Sequence, residues 1–369
     1  MKQKKRNSFA VLMDYAGSHR FLSYAAIVLA VISAWTALIP FYDIWLIVRE
    51  ILEVRPNFAE AVNIGTYGWQ AVGFALISMA FYIAALMCSH KAAFRVQANM
   101  RISMMKHIMK LPLGYVGAQG TGKIRRIVVD SSAATETFLA HNLPDKAVSF
   151  ATPVGLLAMM LFFDWRLGLI CLIPAAVAFI LMFTLMMGPK MAEDMKQYQN
   201  ALDTMSAEAV EYVRGVPVVK TFGQTVFSFK RFKAAIDEYE KWTLGYTKNM
   251  MAPMVAFTTA ANAIFAALII AAFALTGQGV TDEFVLNLFF YVLITSVLTV
   301  TLMKIAYAGE SQTLVDDALD RVQEIISAEL LPEAQGAETP AEPSITLDNV
   351  VFSYEGSENN AIDGIDLSV

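Results

Sequence analysis

The sequence predicts an all-α membrane protein, with six transmembrane helices and long cytoplasmic helical extensions, followed by an incomplete β fragment. Three observations predict it. Six apolar stretches are long enough to cross a bilayer. The basic residues fall almost wholly on one side of those stretches. Two long segments between them keep the helical spacing of apolar and charged residues. With 369 residues, 56% hydrophobic, 17% charged and a mean hydropathy of +0.49, the chain is too apolar for an ordinary soluble globule.

The apolar stretches lie at about 21–48, 69–89, 147–163, 167–188, 251–275 and 284–308. Only Asp164-Trp165-Arg166 separates the third from the fourth, which predicts a tight hairpin with an interfacial tryptophan. Of the 28 Lys and Arg residues, all but Arg49, Arg55 and Arg166 lie in 1–20, 90–146, 189–250 or after 303. Basic residues stay on the cytoplasmic side, so both termini and both long loops are expected there, in a multi-pass protein of the cytoplasmic membrane. The basic N-terminus carries no small-residue cleavage signal and is expected to be retained.

Residues 90–146 and 189–250 space Phe94, Met100, Met104, Met105 and Ile108, and Tyr212, Val219, Phe222 and Phe229, at helical intervals. Thirty further helical residues reach roughly 45 Å beyond a membrane, which suits transmission of force to a cytoplasmic partner. After the sixth stretch the helical spacing continues to about residue 328. A Pro-, Ala- and Glu-rich linker at 329–343 then breaks it and marks a domain boundary. Two β-type runs, 345–354 and 362–369, surround an Asn/Gly-containing turn. A lone hairpin is marginal in water, so these residues are expected to open a soluble domain that continues beyond this sequence.

Cys88 and Cys171 sit in apolar runs and read as buried side chains, and four scattered histidines show no zinc-site spacing, so no metal site is expected. No nucleic-acid partner is expected either. Gly117–Lys123 fits GxxxxGK, but Ile124 stands where a phosphate loop needs Ser or Thr, and an amphipathic helix precedes it instead of a strand. A glycine-rich turn after the helix-breaking Pro112 is the better reading.

Ionisable groups at membrane depth mark cavities or partners. Asp43, after the kink-prone Pro40, is one candidate for a substrate path, and Glu50 lies seven residues on along the same face. Asn262 in the fifth stretch and Thr295, Ser296, Thr299 and Thr301 in the sixth could line a path or join helices. Met182, Met186, Met187, Met191 and Met195 suit either a permissive cavity or ordinary packing.

The stretch MKLPLGYVGAQGTGKIRRIVVDSS resembles the first cytoplasmic loop of exporter-fold ABC transporter transmembrane domains, through Leu111, Pro112, Tyr115, Gly122, Ile124 and Asp130. EAVEYVRGVPVVKTFGQTVFSFKRF resembles the second such loop, through Glu211, Gly215, Val219, Lys220 and Phe222. The tail, with Val351-Phe-Ser-Tyr354, resembles the opening of that family's nucleotide-binding domain. A fainter similarity is to half-transporters associated with siderophores, some of which import.

The resemblance implies a transmembrane domain over 1–328, a linker over 329–343 and the truncated start of a nucleotide-binding domain over 344–369. It further implies homo- or heterodimerisation of half-transporters in the lipid bilayer, and ATP-driven movement of a small amphipathic solute by alternating access. ATP and Mg2+ would serve the complete protein, with Tyr354 stacking on adenine. Residues 118–121 and 208–215 would be the contacts that couple ATP use to transport. Walker A, signature, Walker B and switch-histidine motifs do not follow, so this chain is not expected to hydrolyse ATP alone. Two other readings are a motorless regulator of an intact half-transporter and a secondary transporter. Against the latter, the spans lack paired buried carboxylates and matched broken helices.

Overall fold

The computed structural model describes residues 7–186, 188–222, 226–277, 279–331, 343–353 and 359–369, and is helical nearly throughout. The described helices are α1 (Ser8–Ala16), α2 (Arg20–Thr36), α3 (Ile39–Glu53), α4 (Ile64–Ile108), α5 (Leu113–Gln119), α6 (Thr121–Arg126), α7 (Ser132–Thr137), α8 (Leu143–Phe163), α9 (Trp165–Leu181), α10 (Pro189–Phe222), α11 (Val226–Thr276) and α12 (Asp282–Ile326). Six helical runs are long and apolar enough to cross a membrane: Ser8–Glu53, Ile64–Ile108, Thr121–Phe163, Trp165–Met186, Lys230–Leu275 and Asp282–Ile305. The expected fold class is borne out.

Local chemistry sets several boundaries. The first run breaks between α2 and α3 because Pro40 lacks an N–H and its ring crowds the carbonyl four residues back, that of Thr36. Pro153, Pro174 and Pro253, by contrast, lie inside continuous helices. Asp164 starts α9 by leaving the helical region (φ −154°, ψ 101°), and its carboxylate accepts from the N–H groups of Arg166 (2.9 Å) and Leu167 (3.4 Å). That is an N-cap. The Thr281 hydroxyl accepts from Phe284 N at 3.2 Å and begins α12, whose first turn holds Asp282 and Glu283.

The helices form two compact units. One comprises Phe21–His90 and Ala140–Gln312. Its core is a packed cluster from α8, α9, α11 and α12, including Leu156, Met160, Leu167, Cys171, Phe257, Ile264, Phe290 and Leu298, joined by Leu38. Close approach is built in at Gly155, where a Cβ would stand 2.6 Å from Leu38 Cδ1, and at Gly168, where it would meet the Tyr291 hydroxyl at 3.1 Å. Interhelical hydrogen bonds reinforce the packing. Ser33 and Ser78 each donate to the other's carbonyl at 2.9 Å, and Trp35 Nε1 donates to Ala151 O at 3.0 Å.

The other unit comprises Met1–Arg20, Lys91–Leu139 and Thr313–Val369. Here α4, α5, α6 and α12 meet, and π-helical turns at Ile127–Ser131 and Phe138–Asn142 flank α7. Arg101 ties the first of these turns, donating to Ser132 Oγ (2.7 Å) and Val129 O (3.3 Å). After α12, His107 Nε2 lies 2.9 Å from Ala328 O, and Leu331 N donates to Lys110 O at 3.0 Å. The segment past the helix is thereby fastened to the last turn of α4 and to the backbone just beyond it. Strands β1 (Thr346–Phe352) and β2 (Ile362–Ser368) pair antiparallel, with Thr346 opposite Ser368 and Phe352 opposite Ile362. Most of the hairpin's side chains are exposed, among them Leu347, Val351, Ile365 and Leu367.

Candidate functional site

Asp43 is the one aspartate or glutamate buried among the described residues, at 3% exposure, and its Oδ2 has no hydrogen-bond partner. It sits one turn into α3, just past Pro40. Glu50, on the same helix, is anchored differently: its Oε1 accepts from Asn63 N (2.9 Å) and Asn63 Nδ2 (3.2 Å). Glu50 Oε2, like Asp43 Oδ2, is buried without a partner, but Glu50 is held through its other oxygen by the Asn63 loop. A buried carboxylate oxygen without a donor costs several kcal/mol unless something compensates it.

The other polar candidates spend their groups locally. Thr295 is buried, and its hydroxyl donates to Tyr291 O (2.7 Å) and Val292 O (2.8 Å) of its own helix. Asn262 Nδ2 donates to Thr258 O at 2.8 Å, one turn back. Thr301 likewise bonds back to Val297 O, while Thr299 reaches across to Ala261 O of α11 at 3.4 Å. Met182 and Met191 are buried.

A further group of interhelical polar contacts lies near the start of α12. Asn287 Oδ1 accepts from Trp45 Nε1 at 3.2 Å, and its Nδ2 donates to Phe163 O at 3.3 Å. The Tyr291 hydroxyl donates to Met160 O and lies 2.7 Å from Asp164 O. Three helices and the α8–α9 turn are thus joined through two side chains of α12. Rings of Trp45, Phe163 and Phe290 close over them, with centroids 5.1 and 4.1 Å apart in sequence. Sequence reasoning passed over Asn287 and Tyr291. Their spacing of four from Glu283 puts all three on one helix face, and that was the available signal.

In the first cytoplasmic-type loop, Pro112 begins α5 with extended backbone (φ −57°, ψ 141°), and Tyr115 lies within that helix. Residues 117–122 do not form the expected glycine-rich turn. They are helical on both sides of Gly120, whose φ of +75° is the single left-handed break. Gly122 and Lys123 lie in α6, and Lys123 bonds Gln119 Oε1 (2.7 Å) and pairs with Glu324 of α12 (2.8 Å). That anchor, with α12 alongside, holds as helix a glycine-rich segment that local propensity would leave open. Asp130 is exposed on the first π-helical turn.

In the second loop, α10 and α11 run as an antiparallel pair. Arg231 joins them, 3.0 Å from Glu211 and 3.6 Å from Glu208. The rings of Tyr212 and Phe232 stack at 5.5 Å, and Tyr198 packs against Tyr239 and Tyr246. Gly215 has open space where a Cβ would go. Lys220 and Phe222 belong to the last turn of α10, and their side chains lie outside the description. Tyr354 lies outside the described residues altogether.

Six membrane-crossing helices with a hairpin of 34- and 51-residue helices define a multi-pass membrane protein of the transporter type. The chain belongs to the ABC transporter family: the model of the ABC transporter transmembrane region matches residues 21–297. It is 27% identical over 312 residues to the mycobactin import ATP-binding/permease protein IrtA of Mycolicibacterium smegmatis, covering 83% of this chain and 35% of that one. Against the IrtA of Mycolicibacterium thermoresistibile the identity is 30% over 217 residues, 58% of this chain and 23% of the relative. Against the ATP-dependent lipid A-core flippase of Shewanella frigidimarina it is 21% over 314 residues, 80% and 49%. The chain thus spans between about a quarter and a half of these relatives' lengths.

These relatives are named as ATP-binding or ATP-dependent, whereas the described residues around Lys123 do not build a phosphate loop. Lys123 is engaged by Gln119 and Glu324, helix α5 precedes it where a phosphate loop needs a strand, and Ile124 supplies no hydroxyl for a metal.

Proposed function

We propose that this chain is the membrane half of an ATP-driven transporter that moves an amphipathic solute across the cytoplasmic membrane by alternating access. The observation that carries the reading is the α10–α11 hairpin. At 1.5 Å per residue, the 51 residues of α11 extend about 77 Å, well over twice a hydrocarbon core of about 30 Å. A rod of that length, joined to its partner helix by Arg231 and stacked rings, suits transfer of a motion from a cytoplasmic domain to the membrane helices. The distribution of Lys and Arg supports cytoplasmic termini and rods. The β1–β2 hairpin, apolar and exposed, suits the opening of an ATP-binding domain, where Tyr354 would stack on adenine and Mg2+ would accompany the nucleotide.

In this scheme residues 118–121 and 208–215 meet that domain, and a second half-transporter completes the assembly. Asp43 faces the path, where a polar or cationic group of the cargo supplies the donor its Oδ2 lacks. The test replaces residues 211–215 with a flexible linker in the chain joined to a complete nucleotide-binding domain. ATP hydrolysis should persist while transport is lost, and unchanged coupling would remove the role given to the hairpin.

A second reading, import of a siderophore, is favoured by the names of the IrtA relatives, which are mycobactin importers. Direction of ATP-dependent flux in oriented vesicles separates it from export.

A further inference from the structure

We propose that a cavity at the short-loop end of the membrane helices holds the headgroup of a zwitterionic phosphoethanolamine lipid. The cavity, of about 450 Å3, lies between the α8–α9 turn and the start of α12, and its walls include Trp165, Arg166, Leu275, Glu283, Phe284 and Asn287. Its size falls within the roughly 300–1,000 Å3 of small-molecule sites.

Three charged residues line it, Asp164, Arg166 and Glu283, and the last two carry opposite charges that no ion pair among the described residues answers. The Arg166 guanidinium has a single contact among the described residues, over the face of Trp165 at 5.9 Å, and makes no ion pair or side-chain hydrogen bond. Glu283 likewise has neither, whereas its neighbour Asp282 is taken by Arg55 at 3.3 Å. Glu283 lies in the first turn of α12, where the free N–H groups carry partial positive charge. The polar wall groups that could otherwise answer these charges are committed. Asn287 is bonded to Trp45 and Phe163, and Asp164 Oδ1 caps α9.

A ligand of one sign would meet a like charge on one wall, whereas a ligand carrying both signs meets neither penalty. Phosphate suits the planar guanidinium, which can donate two parallel N–H bonds. A primary ammonium suits the carboxylate and brings three donors. A membrane lipid is favoured over a soluble zwitterion by what surrounds the cavity. Trp165 is of the residue type that settles at headgroup level, and Phe162 and Phe273, on the helices that end there, are 81% and 78% exposed, as acyl-chain contacts are. Leu275 and Phe284 give the cavity an apolar side.

The inference does not depend on the direction or nature of transport, and its test uses binding alone. Full-length chain in detergent is equilibrated with equal phosphatidylethanolamine and phosphatidylglycerol, and retained lipid is counted by native mass spectrometry. Wild type should keep the ethanolamine lipid in preference. Glu283→Gln should lower that preference about fivefold, the scale of one partly exposed charge contact of roughly 1 kcal/mol. Arg166→Gln should weaken retention of both lipids. Both side chains are exposed, and matching lipid-free melting curves would show that the variants fold. Equal retention of the two lipids by wild type, or an ethanolamine preference that survives Glu283→Gln, would overturn the proposal. Displacement of bound lipid by glycerophosphoethanolamine at equal concentration would overturn the lipid assignment in favour of a soluble solute.

Discussion

Tyr291 shows how a single hydroxyl can hold a membrane bundle together. Its ring is fully buried, and its oxygen serves the carbonyls of Met160 and Asp164, at the point where α8 gives way to α9. Tyr291→Phe keeps the ring but removes this hydroxyl donor, while Asp164 O keeps Gly168 N at 2.9 Å; the loss should cost about 0.5–1.5 kcal/mol and lower the melting temperature of the chain in detergent. Gly168→Ala should act in the same direction. Its new Cβ would press at 3.1 Å on a hydroxyl already held between two carbonyls, and at 3.2 Å on Met160 O, so little can yield. Asp43 behaves oppositely if it serves the cargo. Asp43→Asn removes a buried charge lacking a donor on Oδ2, so the melting temperature should hold or rise while ATP-driven transport falls tenfold or more. A lower melting temperature with intact transport would make Asp43 structural. Asp43 was legible in the sequence because an acid inside an apolar run is conspicuous. Asn287 was not, since its importance lies in Trp45 and Phe163, which are 242 and 124 residues away in the chain.

At the scale of elements, hydropathy and charge placed the spans, because a helix that crosses lipid must satisfy its backbone internally and present an apolar surface. The break at Pro40 followed from the ring itself, yet Pro153, Pro174 and Pro253 carry the same ring within continuous helices. Local chemistry does not decide among them; neighbouring helices do. The same holds for residues 117–122, where three glycines signal a turn, yet helix lies on either side of Gly120 and Lys123 of the second helix pairs with Glu324. The α10–α11 hairpin yields an element-scale prediction. Arg231 and Glu211 are both more than half exposed, so Arg231→Glu should leave the melting temperature of the chain in detergent almost unchanged. It should nonetheless weaken coupling of ATP hydrolysis to transport by loosening the two rods. Adding Glu211→Arg should restore coupling, measured as solute moved per ATP hydrolysed. No restoration would mean that the pair does not hold the rods.

Over the whole molecule, the ABC family, the six spans and the helical hairpin agree with one another. The relatives include proteins named for mycobactin import and for lipid A-core flipping. The deciding measurement is solute flux in sealed vesicles carrying the chain joined to a complete nucleotide-binding domain. An amphipathic fluorophore is followed with ATP, with a non-hydrolysable analogue, and with an imposed proton or sodium gradient. Flux with ATP alone is the predicted result, and flux driven by an ion gradient in the absence of ATP would contradict it.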